Sequence, residues 1–510
     1  MSKPIYPEIN SNEEVEQIAN AVSSNSEQEE KLLGRDQEKS ITIEDRAKKK
    51  GKFPLVVKLT ILMAFLFVSV IVVSLVINKH ISQDTSTISM PPSFEKSVIL
   101  ISIDAFRWDY ANYCQTPNLD LIKSQISSDG FRPPFPSKTF VSHYTMVTGL
   151  YPEYNGIVAN TFFDPIINKT FVMGTNESLE SYWWLGEPIW VTNELQGYKT
   201  GCYFWPGSEA KIQDFRPTYY EIYNQSVPYQ DRVQKVLDWI DLPQSERPNL
   251  ITLYFENVDT EGHLHGPLSP EVISAVEYDD TIIGTLIDGL KERDIFDKIN
   301  LIVVSDHGMA TISTSQVIFL DDYLNISTKS IPQEYSYNKF HDLNLNLIQN
   351  SLNLEDFQDT EYDATIIDWS PITAILPSVG KEDFVYNALH NVHPNYTVYR
   401  KEETPLDLHY NDSVRITPII GIAALGWSVT THPQFSAHPD WFQGGNHGFN
   451  PFLYPEMTGI FMAHGPAFVD KYNQPVFDNL NLYILLCNIL GLNPAPNNAT
   501  ESVIESLLKN

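Results

Sequence analysis

The 510-residue chain has only three cysteines, Cys114, Cys202 and Cys487. That is too few for a disulfide scaffold; one bridge with one free thiol is permitted, and the sequence does not choose a pair. Positive charge is scarce as well. Lys and Arg number 34 against 64 Asp and Glu, a net charge of −30, which argues against binding nucleic-acid polymers because phosphate neutralisation needs clustered cations. A small anionic substrate stays open if metal ions supply the local positive charge. There is no internal repeat, and low complexity is confined to the N-terminal tail. The length suits one large catalytic domain with a substantial core, or two ordinary ones.

What is present begins with a single long apolar run. Residues 59–77 carry no charge over 19 positions, long enough as a helix to cross a hydrocarbon core of roughly 30 Å. Ahead of it lies a polar, acidic tail, residues 1–58, closing on the basic cluster Arg46-Ala47-Lys48-Lys49-Lys50-Gly51-Lys52. A cleaved signal peptide would lie nearer the N-terminus and end in small residues, so 59–77 reads as a transmembrane signal anchor. The basic side stays cytosolic, which makes this a single-pass type II membrane protein with everything after residue 78 lumenal or extracellular. Residues 78–95 read as a stalk and 96–510 as the catalytic domain. Asn-x-Ser/Thr triplets at Asn168, Asn176, Asn224, Asn325, Asn395, Asn411 and Asn498 all follow the span, as glycosylation outside the cytosol requires.

Within that domain, 97–103 is a β-branched run ending at Asp104, and 250–255, 301–304 and 459–463 are similar runs. Helical patterns cover 232–240, 273–290 and 481–490. Strands alternating with helices predict an α/β fold: a mostly parallel central sheet flanked by helices on both faces.

Chemistry-bearing residues gather where such a sheet places its ligands, beyond the carboxyl ends of strands. Asp104 ends the first strand and Asp306-His307 the third. Asp259 and His263 stand four apart, which on a helical turn brings both to one face. His447, in Gly444-Gly445-Asn446-His447-Gly448, competes with His432 and His438 of the same segment. Three carboxylates and three imidazoles suffice for two ions, and nitrogen and oxygen donors without thiolates suit zinc. The expectation is therefore two Zn2+ per chain. A two-metal site acting on phosphate esters needs an attacking group. Thr139 is the candidate, at the start of a helical pattern that runs to Thr148 before Gly149, where free N–H groups favour a phosphate. A hydroxyl bound to zinc has a lowered pKa and can attack near neutral pH.

Ser102-Ile103-Asp104-Ala105-Phe106-Arg107, Lys138-Thr139-Phe140, Thr148-Gly149-Leu150-Tyr151-Pro152-Glu153, Gly186-Glu187-Pro188-Ile189-Trp190, Phe204-Trp205-Pro206-Gly207-Ser208, Asp259 to His263, Ser305-Asp306-His307-Gly308-Met309 and Asn446-His447-Gly448-Phe449 occur together in this order. In this the chain resembles the nucleotide pyrophosphatase/phosphodiesterase family of the alkaline phosphatase superfamily, from about residue 97 to about residue 492. The resemblance implies an alkaline phosphatase-like fold. It implies one zinc on Asp104, Thr139, Asp306 and His307, and a second on Asp259, His263 and His447. Thr139 would be the nucleophile and Asn160 would hold a non-bridging phosphate oxygen. Lys138, Phe140, Phe204 and Tyr223 would bind substrate, with Phe140 and Tyr223 sandwiching a nucleobase.

The chain departs from the family pattern at Ala105, where glycine is usual, at Val141-Ser142 for Pro-Asn, and at Asn450-Pro451-Phe452. No cysteine-rich or nuclease-like module is expected. The resulting expectation is a hydrolase that cleaves nucleoside triphosphates to monophosphate and pyrophosphate, and nucleotide diesters to 5′-nucleotides, through a threonyl intermediate. A phospholipid- or choline-type phosphodiesterase or a phosphomonoesterase of the same fold is the alternative within hydrolases. A non-catalytic surface glycoprotein is the alternative outside them.

Overall fold

The structure, a computed structural model, describes residues 93–327 and 361–509, all within the unit spanning residues 88–510. The tail, the 59–77 run and the stalk up to residue 92 lie outside the described residues. Among the described residues no helix is long and apolar enough to cross a membrane.

The run after Ser97 becomes β1, Val98–Ile103, buried along its whole length. Its side chains alternate between two cores: Val98 and Leu100 point to one, Ile99, Ile101 and Ile103 to the other. A strand covered on both faces reads as a continuous apolar run rather than an alternating one. The central sheet also holds β2 (Ile126–Ser128), β3 (Thr200–Tyr203), β4 (Tyr219–Glu221), β5 (Leu250–Phe255), β6 (Asn300–Val304), β7 (Phe461–His464) and β8 (Tyr472–Gln474). Their order is β8-β2-β7-β6-β1-β5-β3-β4.

From β6 to β4 the strands are parallel, with Val98 opposite both Leu250 and Asn300. This register aligns the carboxyl ends of β1, β5 and β6 on one edge of the domain. On one face lie α1 (Thr139–Thr148) and α5 (Leu482–Leu490); on the other lie α2 (Tyr229–Ile240) and α4 (Pro270–Glu292). The expected mostly parallel sheet between helical layers is present.

The fourth apolar run departs from the parallel expectation, because β7 pairs antiparallel with β6. The chain arrives at β7 from the site edge, where Ser305 N–H donates to the Ile460 carbonyl. It can therefore turn straight back beside β6 without a crossover helix. Gly459 permits the approach, since a Cβ there would stand 2.7 Å from the Ser305 carbonyl oxygen.

A second, four-stranded antiparallel sheet lies between β6 and β7 in sequence. Its strands, in spatial order, are Ala364–Asp368, Ile372–Pro377, Ile419–Ala423 and Tyr396–Arg400. It has its own core around Ile366, Trp369, Ile375, Val385 and Ile419. The three cysteines are all free thiols.

Candidate metal centre and active site

Asp104 follows β1 directly, and its backbone N–H donates to the Phe255 carbonyl at the end of β5. Asp306 and His307 follow β6. The register that aligns these strand ends is what brings Asp104 and Asp306 together across 200 residues of sequence. Asp306 Oδ1 accepts the N–H groups of Ala105 (3.2 Å) and His307 (3.0 Å). To present its N–H this way, Ala105 takes φ +55°, a left-handed conformation in which glycine carries no steric cost. The departure from the family pattern thus falls on a strained residue.

Asp104 Oδ2 accepts the Tyr254 hydroxyl at 2.6 Å. The remaining oxygens, Asp104 Oδ1 and Asp306 Oδ2, are buried without a hydrogen-bond donor. They lie 3.3 and 3.1 Å from His307 Nε2. His307 Nδ1 bonds the Gly308 carbonyl at 2.9 Å. A carbonyl only accepts, so Nδ1 carries the proton and Nε2 presents a lone pair. Three lone pairs facing one another in a buried site repel; a cation among them removes the conflict.

The second group is built on α3, Asn257–His265, which places Asp259 and His263 on one face. His263 Nε2 is 3.4 Å and His447 Nε2 3.7 Å from Asp259 Oδ1. Both rings hold their Nδ1 protons on backbone carbonyls, His263 on Gly445 at 3.0 Å and His447 on Ser137 at 2.9 Å. The His447 ring stacks on that of His307, with centroids 3.6 Å apart and planes 12° off parallel.

Two groups of side chains that can hold a metal ion result, Asp104 with Asp306 and His307, and Asp259 with His307 and His447. His307 touches both. The competing histidines lie elsewhere: His432 pairs with Asp322 and stacks on Phe319, and His438 stacks on Trp441.

The electrostatics agree with this geometry. Burial, then repulsion from Asp306 and Asp259, holds the Asp104 carboxyl well above the usual carboxylate range, and burial raises Asp306 as well. Burial lowers His307 to about 3, and burial with the neighbouring His307 pushes His447 well below its ordinary value. Both imidazoles are therefore neutral at pH 7, the state a metal ligand needs. Two or more carboxylates that resist ionising while alone become favourable donors once a divalent ion sits between them.

Thr139 is the first residue of α1, and its Oγ lies 3.3 Å from His307 Nε2. Asn160 accepts the Phe140 N–H on Oδ1 at 3.0 Å, which leaves its amide NH2 as a donor. Lys138, adjoining Thr139, directs its buried ammonium to Asp368 of the second sheet. Phe204 and Tyr223 meet edge to face at 5.2 Å, with the Arg232 guanidinium 4.9 Å from the Phe204 ring. Tyr223 is half-exposed. The ring neighbours of Phe140 are Phe171 and Trp184, so Phe140 and Tyr223 are not in ring contact with each other.

Sequence reasoning missed His143, Tyr254, Asp368 and the buried Arg232–Glu256 pair, which is bidentate at 2.7 and 2.8 Å. Only His143 had a readable signal, its position one helical turn after Thr139.

The family described as type I phosphodiesterase / nucleotide pyrophosphatase matches residues 98–450. The human ectonucleotide pyrophosphatase/phosphodiesterase family member 5 is 38% identical over 446 residues, covering 87% of this chain and 83% of that protein. A venom phosphodiesterase of Macrovipera lebetinus is 36% identical over 434 residues, 84% of this chain and 47% of that protein. The chain thus spans about half the length of that relative. Among solved structures, murine ectonucleotide pyrophosphatase / phosphodiesterase 5 superposes with a TM-score of 0.71 at 38% identity, covering 81% of this chain and 100% of that one. An inactive variant of the same murine protein, solved in complex with AMP, superposes with a TM-score of 0.70.

Proposed function

The chain belongs to the type I phosphodiesterase / nucleotide pyrophosphatase family of hydrolases, and on that premise we propose that it is a zinc-dependent enzyme cleaving phosphodiester and phosphoanhydride bonds of nucleotides through a covalent threonyl intermediate. The observation that carries the proposal is the position of Thr139 Oγ, at a helix N-terminus and 3.3 Å from His307 Nε2, beside two converging sets of buried Asp and His donors.

Asp104, Thr139, Asp306 and His307 would hold one zinc, and Asp259, His263 and His447 the other. When bound, the ions lower the pKa of a coordinated hydroxyl and neutralise charge on the phosphoryl oxygens. The Thr139 hydroxyl gives up its proton and Oγ attacks phosphorus, forming a P–O bond while the bond to the leaving oxygen breaks. Water then attacks the same phosphorus, releases the nucleotidyl group and restores the hydroxyl. A nucleoside triphosphate and one water thus yield a nucleoside monophosphate and pyrophosphate. The Asn160 amide and the amino-terminal turn of α1 donate to non-bridging oxygens as charge builds on them. Phe204 and Tyr223, with Phe140 nearer the nucleophile, bind the base. That the murine relative was solved in complex with AMP supports a nucleotide as the ligand class.

We also propose that residues 59–77 anchor the chain as a type II membrane protein, a reading supported by the uncharged run and the basic cluster before it. Protease protection of the tail in intact membranes, with the catalytic domain digested, is the expected outcome.

The test is product analysis of the full chain on ATP and on a choline phosphodiester. AMP plus pyrophosphate, lost on chelation, restored by zinc and absent in Thr139→Ala, is expected. Release of inorganic phosphate, or preference for the choline ester, would assign one of the other hydrolase activities. Full activity of Thr139→Ala would remove the threonyl mechanism.

A further inference from the structure

His143 lies in α1 one turn after Thr139 and is completely buried. Its Nδ1 is 2.8 Å from the Thr139 carbonyl and 3.3 Å from Asp306 Oδ2. Both neighbours are acceptors, so Nδ1 carries the proton. Nε2 must then accept, and the donor is the Ser102 hydroxyl at 2.8 Å, on β1 two residues before Asp104. The ring cannot swing away, because Trp205 and Tyr254 pack against it edge to face at 4.9 and 5.3 Å. Trp205 also donates its indole N–H to the His143 carbonyl at 3.3 Å.

We propose that His143 is a positioning residue that ties the nucleophile to the metal-facing carboxylate, donating its Nδ1 proton to the Thr139 carbonyl while the same ring edge packs 3.3 Å from Asp306 Oδ2. The inference rests on the reading of Thr139 as nucleophile and Asp306 as ligand, and deepens it. Asp306 Oδ1 is already fixed by two backbone N–H groups, so Oδ2 is the oxygen left to turn toward an ion. With its N–H on the residue 139 carbonyl and its ring edge against Oδ2, the locked imidazole acts as a spacer that sets the distance between the carboxylate and the Thr139 hydroxyl. A partner of this kind behind a ligand is worth about 10–100-fold in metal affinity or activity. Ser102 acts one step further back, by fixing the tautomer.

The experiment compares His143→Leu, His143→Asn and Ser102→Ala with the parent, all in the full chain. His143→Asn keeps an N–H at the Nδ1 position and loses only the bond to Ser102. Expected for His143→Leu is a fall in kcat of about 10–100-fold with KM within about threefold. One of the two ions should also pass faster to a chelator. His143→Asn should recover most of kcat and the slow metal release, and Ser102→Ala should lose only a few-fold. Equal impairment of the Leu and Asn variants would reduce His143 to a packing residue and overturn the proposal. Parent-like activity and metal release in all three would overturn it too. Because Thr139→Ala tests the nucleophile separately, an inactive Thr139→Ala beside unaffected His143 variants refutes this inference alone. An active Thr139→Ala refutes the reading beneath it.

Discussion

The contact between Lys138 and Asp368 is the place where the second sheet reaches the residue next to the proposed nucleophile, and it sets a quantitative test. Both side chains are nearly inaccessible, 4% and 3% exposed, and Asp368 Oδ1 also accepts the Trp369 N–H at 3.0 Å. Removing one member of a buried pair leaves the other charge without compensation, at a cost of about 3–5 kcal/mol. At about 2 cal/mol/K of unfolding entropy per residue, a domain of roughly 400 residues loses ~1 °C per kcal/mol, so Lys138→Met or Asp368→Leu should each lower Tm by about 3–6 °C. Replacing both should cost clearly less than the sum of the two, because no orphan charge remains and the site becomes apolar. Differential scanning calorimetry of the four proteins closes the cycle. Additive losses, or single variants within about 1 °C of the parent, would refute the reasoning. The catalytic assay gives a second readout, since Lys138 immediately precedes Thr139 and packs on Gly448, beside His447, where an added Cβ would stand 3.3 Å from Lys138 Cε. Single variants should lose turnover as the segment carrying the proposed nucleophile shifts.

Gly308→Ala should destabilise the protein by about 1–3 kcal/mol and reduce bound metal, since a Cβ there would stand 2.1 Å from the Glu456 carbonyl oxygen and the Gly308 carbonyl fixes His307; calorimetry and metal analysis check it. Ala105→Gly should leave Tm nearly unchanged, because relief of left-handed strain and the added flexibility of glycine are each about 1 kcal/mol and oppose. Ala105→Val, branched at a residue with φ +55°, should lower Tm and metal content together; a stable, fully metallated Ala105→Val would contradict the role given to that backbone turn.

The parts of the fold that could be read beforehand are those whose physics is local. β1, β5 and β6 are covered on both faces, so each is a short apolar run, and the helices between them carry a 3.6-residue apolar stripe. Direction is not local: the run that became β7 has the same composition whether parallel or antiparallel. The second sheet escaped notice for a related reason. Its strands are separated by segments such as 401–418 and pair antiparallel with one another, so their spacing carries no βαβ rhythm. In the site, candidate ligands at strand ends were legible because the strand announces where it stops. The partners that hold them were not. His143 bonds Ser102 across 41 residues, Tyr254 bonds Asp104 across 150, and Lys138 meets Asp368 across 230. No pattern within a sequence window encodes such pairs.

The way the candidate ligands are held bears on how such a centre would work. His263, His307 and His447 each direct Nδ1 to a main-chain carbonyl, and Asp306 is gripped by two main-chain N–H groups. Donors fixed by backbone cannot relax by turning a neighbouring side chain, so the separation of the ligand atoms is set by sheet register and the two loops that follow it. That rigidity has a cost. It keeps Asp306 and Asp259 close enough to oppose ionisation of Asp104, and Asp259 close enough to oppose that of Asp306, and the repulsion works against the fold until a divalent ion offsets it. Metal binding is therefore coupled to the stability of the strand ends themselves. The same geometry that converges these donors sets Thr139 Oγ 3.3 Å from His307 Nε2, the ring common to both groups.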